Sequence, residues 1–188
     1  MYDSTYLQGR FNGWLEGNVV VGPEGQLFDI LRVDAKIKGE EYAAFVEISK
    51  NGKKASFNPE KGFIPFPGGS KKFTIRYDEV SQRYWMLTNY VKPEYRQFTP
   101  SRIRNTQALC SSTDLKSWTI HQFVLEHPDI DKHGFQYVEW LFSGDDILFL
   151  SRTAYDEPNG GANNYHDANY LTFHRIENFR DLINSSIE

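Results

Sequence analysis

The stretch KKFTIRYDEVSQRYWMLTNYV, residues 71–91, has the pattern of two β-strands joined by a turn. Aromatic and β-branched residues dominate both halves, as is typical of strands, and the segment between them is short and polar. Segments of the same kind recur on both sides of this one. The sequence therefore predicts an all-β protein built from consecutive antiparallel strands.

Working outward from residues 71–91, we divide the chain into three similar units, at approximately 14–57, 72–125 and 135–176. Each unit has the pattern of a four-stranded antiparallel meander, the third one strand short, and about 40–50 residues is the size of a propeller blade. We predict a single partial β-propeller domain over residues 1–188, forming half of a six-bladed propeller. A β-sandwich of about a dozen strands is the alternative.

Three blades cannot close a propeller, which needs about four to eight. An open half would leave sheet edges and apolar blade faces uncovered. We therefore expect either a longer polypeptide or a homo-oligomer in which copies cover these faces.

Charge and composition argue against several classes of function. The 188 residues carry a net charge of −4 with both signs interspersed, so we expect no nucleic-acid partner. No apolar stretch approaches the roughly 20 residues of a membrane span, and the first residues do not match a signal peptide. The single cysteine, Cys110, excludes an internal disulfide. We see no metal-ligand spacing and expect no metal and no cofactor.

The segment SSTDLKSWT, residues 111–119, resembles the S-x-D-x-x-x-W hairpin of glycosidase propellers, a relative of the sialidase Asp-box that is one residue shorter. Asp114 and Ser112 can accept hydrogen bonds from the amides of the turn. Trp118 can pack the hairpin onto its blade. We interpret the motif as structural, so Asp114 is not a catalytic candidate.

With this motif in place, the chain from Trp14 to about Tyr155 resembles sialidase-like enzymes in the order of its residues. The matching segments are LEGNVVVGPEGQLFDILRV (15–33), SRIRNTQALCSSTDLKSW (101–118) and KHGFQYVEW (132–140). The resemblance implies that Tyr137 is the nucleophile and Glu16 its base. It also implies that Arg32 and Arg104 bind the substrate carboxylate, with Arg102 a weaker choice than Arg104.

The chemistry of sialic acids explains these residue types. Two guanidinium groups can hold the carboxylate on the anomeric carbon with bidentate, charge-assisted hydrogen bonds. That carboxylate would repel a carboxylate nucleophile, and sialidases use a tyrosine instead. A phenol with a pKa near 10 needs a base within hydrogen-bond reach, which is the role implied for Glu16.

Further substrate-binding candidates flank this strand. His133 lies close to Tyr137 in sequence, and His166 and Asp167 lie in the polar loop GGANNYHDANY, residues 160–170. For each of these residues a structural role is the plain alternative: a turn-rich connection for the loop, and a core tyrosine for Tyr137.

The acid and the first arginine of the family normally precede the segment seen here. Only Asp3 and Arg10 lie upstream of Glu16 as candidates, and neither has a matching pattern. We therefore predict a sialidase-like exo-glycosidase acting on a terminal acidic sugar of a glycan, with this chain inactive alone. The family is typically exported. The alternatives are a furanosidase-type propeller that uses Glu16 and Glu139, and a non-catalytic glycan-binding module.

Overall fold

The computed structural model describes residues 3, 5–157 and 160–187, and the remaining positions of the predicted domain lie outside this part. The all-β prediction is confirmed, because this part contains twelve strands and few helical turns. The strands are β1 (Phe11–Val21), β2 (Leu27–Ala35), β3 (Tyr42–Ile48), β4 (Ala55–Ser56), β5 (Phe63–Pro65), β6 (Thr74–Asp78), β7 (Arg83–Asn89), β8 (Thr106–Ser112), β9 (Thr119–Glu126), β10 (Gly134–Ser143), β11 (Asp146–Ala154) and β12 (Tyr170–Ile176).

The helical elements are short. The helical turn α1 covers Tyr6–Gly9, and three 3-10 helices cover Pro93–Tyr95, Pro100–Arg102 and Phe179–Asn184. Within the described ranges, no helix has the length and apolar character needed to cross a membrane.

The strands form three separate antiparallel sheets. Sheet A contains β1–β5, sheet B contains β6–β9 and sheet C contains β10–β12, and strands adjacent in sequence are usually adjacent in the sheet. A β-sandwich would place the strands in two sheets packed face to face. Three sheets in the described part of the chain do not match that alternative.

Sheet B lies between the other two sheets. One core cluster joins sheet A to sheet B and includes Ile30, Phe45, Ile75 and Met86. A second cluster joins the opposite face of sheet B to sheet C and includes Trp85, Leu87, Val138, Trp140 and Phe149. Met86 and Trp85 are neighbours in β7 and point to opposite faces, as the period of two in a strand requires. The three sheets are therefore stacked in the order A, B, C.

The two ends of this stack differ. The outer face of sheet A is covered by an aromatic cluster in which Tyr6 of α1 packs on Phe11 and Trp14. On the outer face of sheet C, Leu171 and Phe173 are 68% and 64% exposed, so none of the described residues covers them.

A β-bulge interrupts β10. Gln136 pairs with Arg152 and Glu139 pairs with Leu150, so two residues of β10 lie opposite the single residue between these partners. Tyr137, in the bulge, has a φ of 50°, in the left-handed region that non-glycine residues rarely adopt. The bulge explains why the run FQYVEW, residues 135–140, has no regular alternation: the phase changes in its middle.

The hairpin at residues 111–119 has the hydrogen bonds expected of it. Asp114 Oδ1 accepts hydrogen bonds from the backbone N–H groups of Lys116 and Ser117, at 2.8 and 2.7 Å. Ser112 Oγ accepts from the N–H groups of Asp114 and Leu115. Trp118 packs against Phe66 of the core between sheets A and B.

Candidate functional site

Arg32 lies near the end of β2, on the strand face that looks toward sheet B. Its position follows from the strand period, because Phe28 and Ile30 on the same face pack into the core between sheets A and B. The side chain is buried, and its Nε donates a hydrogen bond to the Ser70 carbonyl at 2.9 Å. Its Nη1 donates to Glu16 Oε2 at 3.1 Å. These two bonds fix the guanidinium and leave further donors of its five.

Arg104 lies between the 3-10 helix Pro100–Arg102 and β8, and it is also buried. Its Nε donates to the Ser101 carbonyl at 3.0 Å, and its Nη1 donates to Gln136 Oε1 at 2.9 Å. Burial lowers the pKa of the Arg104 guanidinium, the charge of Arg32 lowers it further, and the nearby Tyr137 phenol opposes both effects. The sequence predicted Arg32 and Arg104 as a pair, and in the structure the charge of Arg32 acts on the Arg104 guanidinium.

A third buried cation lies in the same environment. Lys71 is fully buried, and its Nζ donates to Glu41 Oε1 at 2.5 Å and to the Pro100 carbonyl at 3.2 Å. Burial lowers the pKa of Lys71, Glu41 opposes this, and the charges of Arg104 and Arg32 lower it further. Glu41 also accepts hydrogen bonds from Ser70 Oγ and the Ser70 and Gly68 N–H groups. Glu41, the partner of Lys71, therefore holds residues 68–70 in place, and the Ser70 carbonyl of this loop accepts the hydrogen bond from Arg32.

Two arginine side chains lie against the ring of Tyr137. The Cζ atoms of Arg104 and Arg152 lie 6.0 and 5.0 Å from the centroid of its ring, within the range of cation–π contacts. The ring of His166 meets it edge to face, with centroids 6.3 Å apart. Gln136, one residue before Tyr137, donates through Nε2 to the carbonyls of Tyr165 and His166. The bulge in β10 therefore connects Arg104 to the polar loop of residues 160–170.

His133 directly precedes β10. Its ring is buried, stacks on His127 with centroids 3.4 Å apart, and contacts Asp129 through Nδ1 at 3.1 Å. His166 and Asp167 are exposed, and His166 Nδ1 lies 3.7 Å from Asp167 Oδ1. Arg102 is exposed as well and pairs loosely with Asp131.

The predicted residues form two contact groups rather than one complete site. Glu16 joins Arg32, and Tyr137 joins Arg104 and His166. No hydrogen bond joins Glu16 to the Tyr137 hydroxyl anywhere within residues 5–157, so the role of Glu16 as base stays a prediction.

Glu139, the second carboxylate of the furanosidase alternative, is bound elsewhere. It makes ion pairs with Arg76 at 2.5 Å and with Lys72 at 3.6 Å. Glu16 instead pairs with Arg32. Each carboxylate is thus neutralised by its own cations.

Sequence reasoning missed four residues of the site: Glu41, Lys71, Gln136 and Arg152. Glu41 and Lys71 are 30 positions apart and belong to no motif. Arg152 could have been noticed, because it interrupts the strand ILFLSRTAY, and an arginine in an apolar strand calls for a partner. Its contact with Tyr137 depends on the pairing of β10 with β11.

Comparison with known proteins identifies no family for this chain. No family model matches it, and no curated protein matches it. Among solved structures it is similar to a GH43 β-1,3-galactosidase determined with galactodeoxynojirimycin, at 15% identity and a TM-score of 0.45. The match covers 88% of this chain and 43% of the other, so the chain spans less than half of that protein. A likeness of this degree does not assign an activity.

Proposed function

We propose that this chain forms the anion-binding and nucleophile half of a glycosidase site that acts on a terminal acidic sugar. One observation carries the proposal: the charges of the buried cations Arg32, Lys71 and Arg104 act on one another, and Arg104 lies against Tyr137, whose backbone is held in a left-handed conformation. Backbone strain of this kind is concentrated at functional sites.

The charges of this group favour an anion. The three buried cations are accompanied by two carboxylates, Glu16 and Glu41, which leaves one positive charge in excess, and the exposed Arg152 beside the Tyr137 ring adds another. Buried charges are stable only when they are paired or bound. A sugar carboxylate beside Arg32 and Arg104 would supply the missing negative charge through charge-assisted hydrogen bonds.

Tyr137 is the group best placed for nucleophilic attack in this proposal. The guanidinium groups of Arg104 and Arg152 contact its ring. In the proposed reaction the phenolate oxygen attacks the anomeric carbon, the aglycone oxygen leaves with a proton from an acid outside the described groups, and water then releases the sugar. In this proposal Glu16 takes up the phenol proton, and its hydrogen bond with Arg32 positions the carboxylate.

We propose that sheets A, B and C are three consecutive blades of a six-bladed propeller, with boundaries near residues 14–57, 72–125 and 135–176. The stacking of sheet B between A and C supports this, and so does the exposed outer face of sheet C. The chain alone would then lack the acid half of the site.

A binding experiment tests the anion site. N-acetylneuraminic acid and its methyl ester differ in the carboxylate charge, and we expect the acid to bind at least about tenfold more tightly in a calorimetric titration. Arg104→Met should remove this preference. Arg76→Met is the matched control, because Arg76 is a half-exposed arginine paired with Glu139, outside the group. Equal binding of acid and ester, or equal loss in both variants, would refute the proposed carboxylate site.

A turnover experiment separates catalysis from binding alone. The isolated chain should release no aryl alcohol from an aryl sialoside, because the acid half is missing. A polypeptide that supplies three more blades should be active, and Tyr137→Phe in it should abolish turnover while sugar binding remains. Sugar binding with no turnover in any longer form would favour the non-catalytic alternative.

A further inference from the structure

The outer edge of sheet C is a long and regular strand. β12 pairs with β11 at all seven of its positions, without a register shift. Within residues 3, 5–157 and 160–187, no strand pairs with the other edge of β12. Its Leu171 and Phe173 side chains are 68% and 64% exposed. We propose that β12 pairs antiparallel with β12 of a second copy of this chain, so that the dimer has one continuous six-stranded sheet.

The outer edges of sheets A and B are protected, whereas that of sheet C is not. Sheet A ends in β4 and β5, which have only two and three residues. Sheet B ends in β9, whose pairing with β8 shifts register twice, and the Ile187 N–H donates to the Ile120 carbonyl of this strand at 2.8 Å. Short strands, bulges and covering segments all prevent edge pairing. In the described part of the chain β12 has none of these protections, and its one arginine, Arg175, lies next to its last residue.

One register makes β12 complementary to itself. A two-fold axis at Thr172 places Leu171 of each copy opposite Phe173 of the other, on the exposed face of the sheet. Apolar and aromatic side chains that lie opposite each other stabilise paired strands. Moving the axis to Phe173 would instead place Leu171 opposite Arg175. The sequence of β12 therefore favours the axis at Thr172, in the isologous arrangement that is commonest among dimers.

The two ends of β12 also differ in charge. The Glu157 carboxylate lies at its start, where it accepts a hydrogen bond from the Tyr170 hydroxyl at 2.6 Å. Arg175 lies near its end and remains 57% exposed although it pairs with Asp146. In the proposed register Tyr170 lies opposite His174 of the second copy, which brings Glu157 toward the end that carries Arg175. This charge complementarity favours antiparallel pairing of two copies.

The proposed contact is small. A strand of seven residues is about 24 Å long. Interfaces below about 1,200 Å² are typical of weak and transient complexes. We therefore expect a reversible dimer with a dissociation constant in the micromolar range. The dimer does not depend on the proposed glycosidase function.

Sedimentation velocity over a range of micromolar concentrations tests the dimer. Phe173→Lys should weaken association at least about tenfold, because a lysine on an edge strand opposes pairing. Val80→Lys is the matched control, because Val80 is an apolar residue, 74% exposed, in the turn between β6 and β7. Association that is lost in Phe173→Lys and kept in Val80→Lys would support the proposal. A monomer at every concentration, or the same association in both variants, would overturn it.

Cysteine cross-linking tests the register. On oxidation, Thr172→Cys should form a disulfide between two copies, because opposite residues of paired strands lie within disulfide reach. Leu171→Cys should not cross-link to itself, because these positions would be diagonal and about 7–8 Å apart. A mixture of Leu171→Cys and Phe173→Cys should cross-link, and the buried Cys110 does not compete. Self-cross-linking of Leu171→Cys as fast as that of Thr172→Cys would refute the axis at Thr172.

Discussion

Replacing Glu41 with glutamine should strongly destabilise the chain. The Glu41 carboxylate is 9% exposed and is the anionic partner of Lys71, whose side chain is fully buried. The substitution keeps the shape of the side chain, removes its charge and replaces one acceptor oxygen with an NH₂ donor, at the cost of one of the hydrogen bonds that Glu41 accepts from Ser70 and Gly68. The positive charge of Lys71 would then be buried beside Arg32 and Arg104 with no anion in contact with it.

The size of the effect follows from the burial of the pair. Removing one partner of a buried ion pair costs about 3–5 kcal/mol, because the other charge loses its compensation. For a chain of this size, each kcal/mol corresponds to a shift of about 2–4 °C in melting temperature. We therefore expect the melting temperature of Glu41→Gln to fall by at least about 6 °C.

The dependence on pH distinguishes a stranded charge from a simple packing defect. In Glu41→Gln, the pKa of folded Lys71 should fall further, since burial and two arginines act on it unopposed. The folded state then binds fewer protons than the unfolded state, so stability rises with pH. The deficit of the variant relative to the unmodified chain should be smaller at pH 9 than at pH 7.

Urea unfolding followed by circular dichroism measures these quantities. Glu40→Gln is the control, because Glu40 is the preceding residue and is exposed, so its loss should change the free energy of unfolding by less than about 0.5 kcal/mol. If Glu41→Gln were as stable as Glu40→Gln, the buried ion pair would not stabilise the fold. A deficit independent of pH would mean that Lys71 is not the cause.

Two further predictions concern groups outside the site. Hydrogen bonds from Arg180 lower the pKa of Asp78 from 3.8 to about 2, so this pair stabilises the fold above pH 4. About 2.5 kcal/mol should be lost progressively as the pH falls from about 5 to 1, and urea titrations of Asp78→Asn should lack this loss. Cys110 is buried, and burial raises the pKa of its thiol. A thiol reagent should therefore modify Cys110 only after the chain unfolds. Rapid modification of the native chain would contradict this burial.

The features that the sequence predicted well are local ones. The strands of residues 71–91 follow from β-forming residues on both sides of a polar turn, and β6 and β7 lie there. The Asp114 hairpin also depends only on neighbouring residues, since a short side chain can reach only nearby amides. The strand β5 lies outside the predicted unit 14–57 and escaped prediction, because β3 pairs with β4 at one end and with β5 at the other.

The features that were missed depend on contacts distant in sequence. Glu41 and Lys71 have no sequence pattern, and each would ordinarily be interpreted as a surface charge. The sequence of residues 135–140 shows that regular alternation is missing, but it does not show the cause, since a bulge is defined by the partner strand.

The left-handed backbone at Tyr137 has a consequence for engineering this protein. A tyrosine in this conformation costs about 1–3 kcal/mol, and glycine at the same position would cost far less. A search for thermostable variants would therefore favour glycine at position 137, although this removes the phenol from the site. Stability and activity would be in conflict at this residue, and a selection that rewards only folding would discard the side chain that we assign to the chemistry.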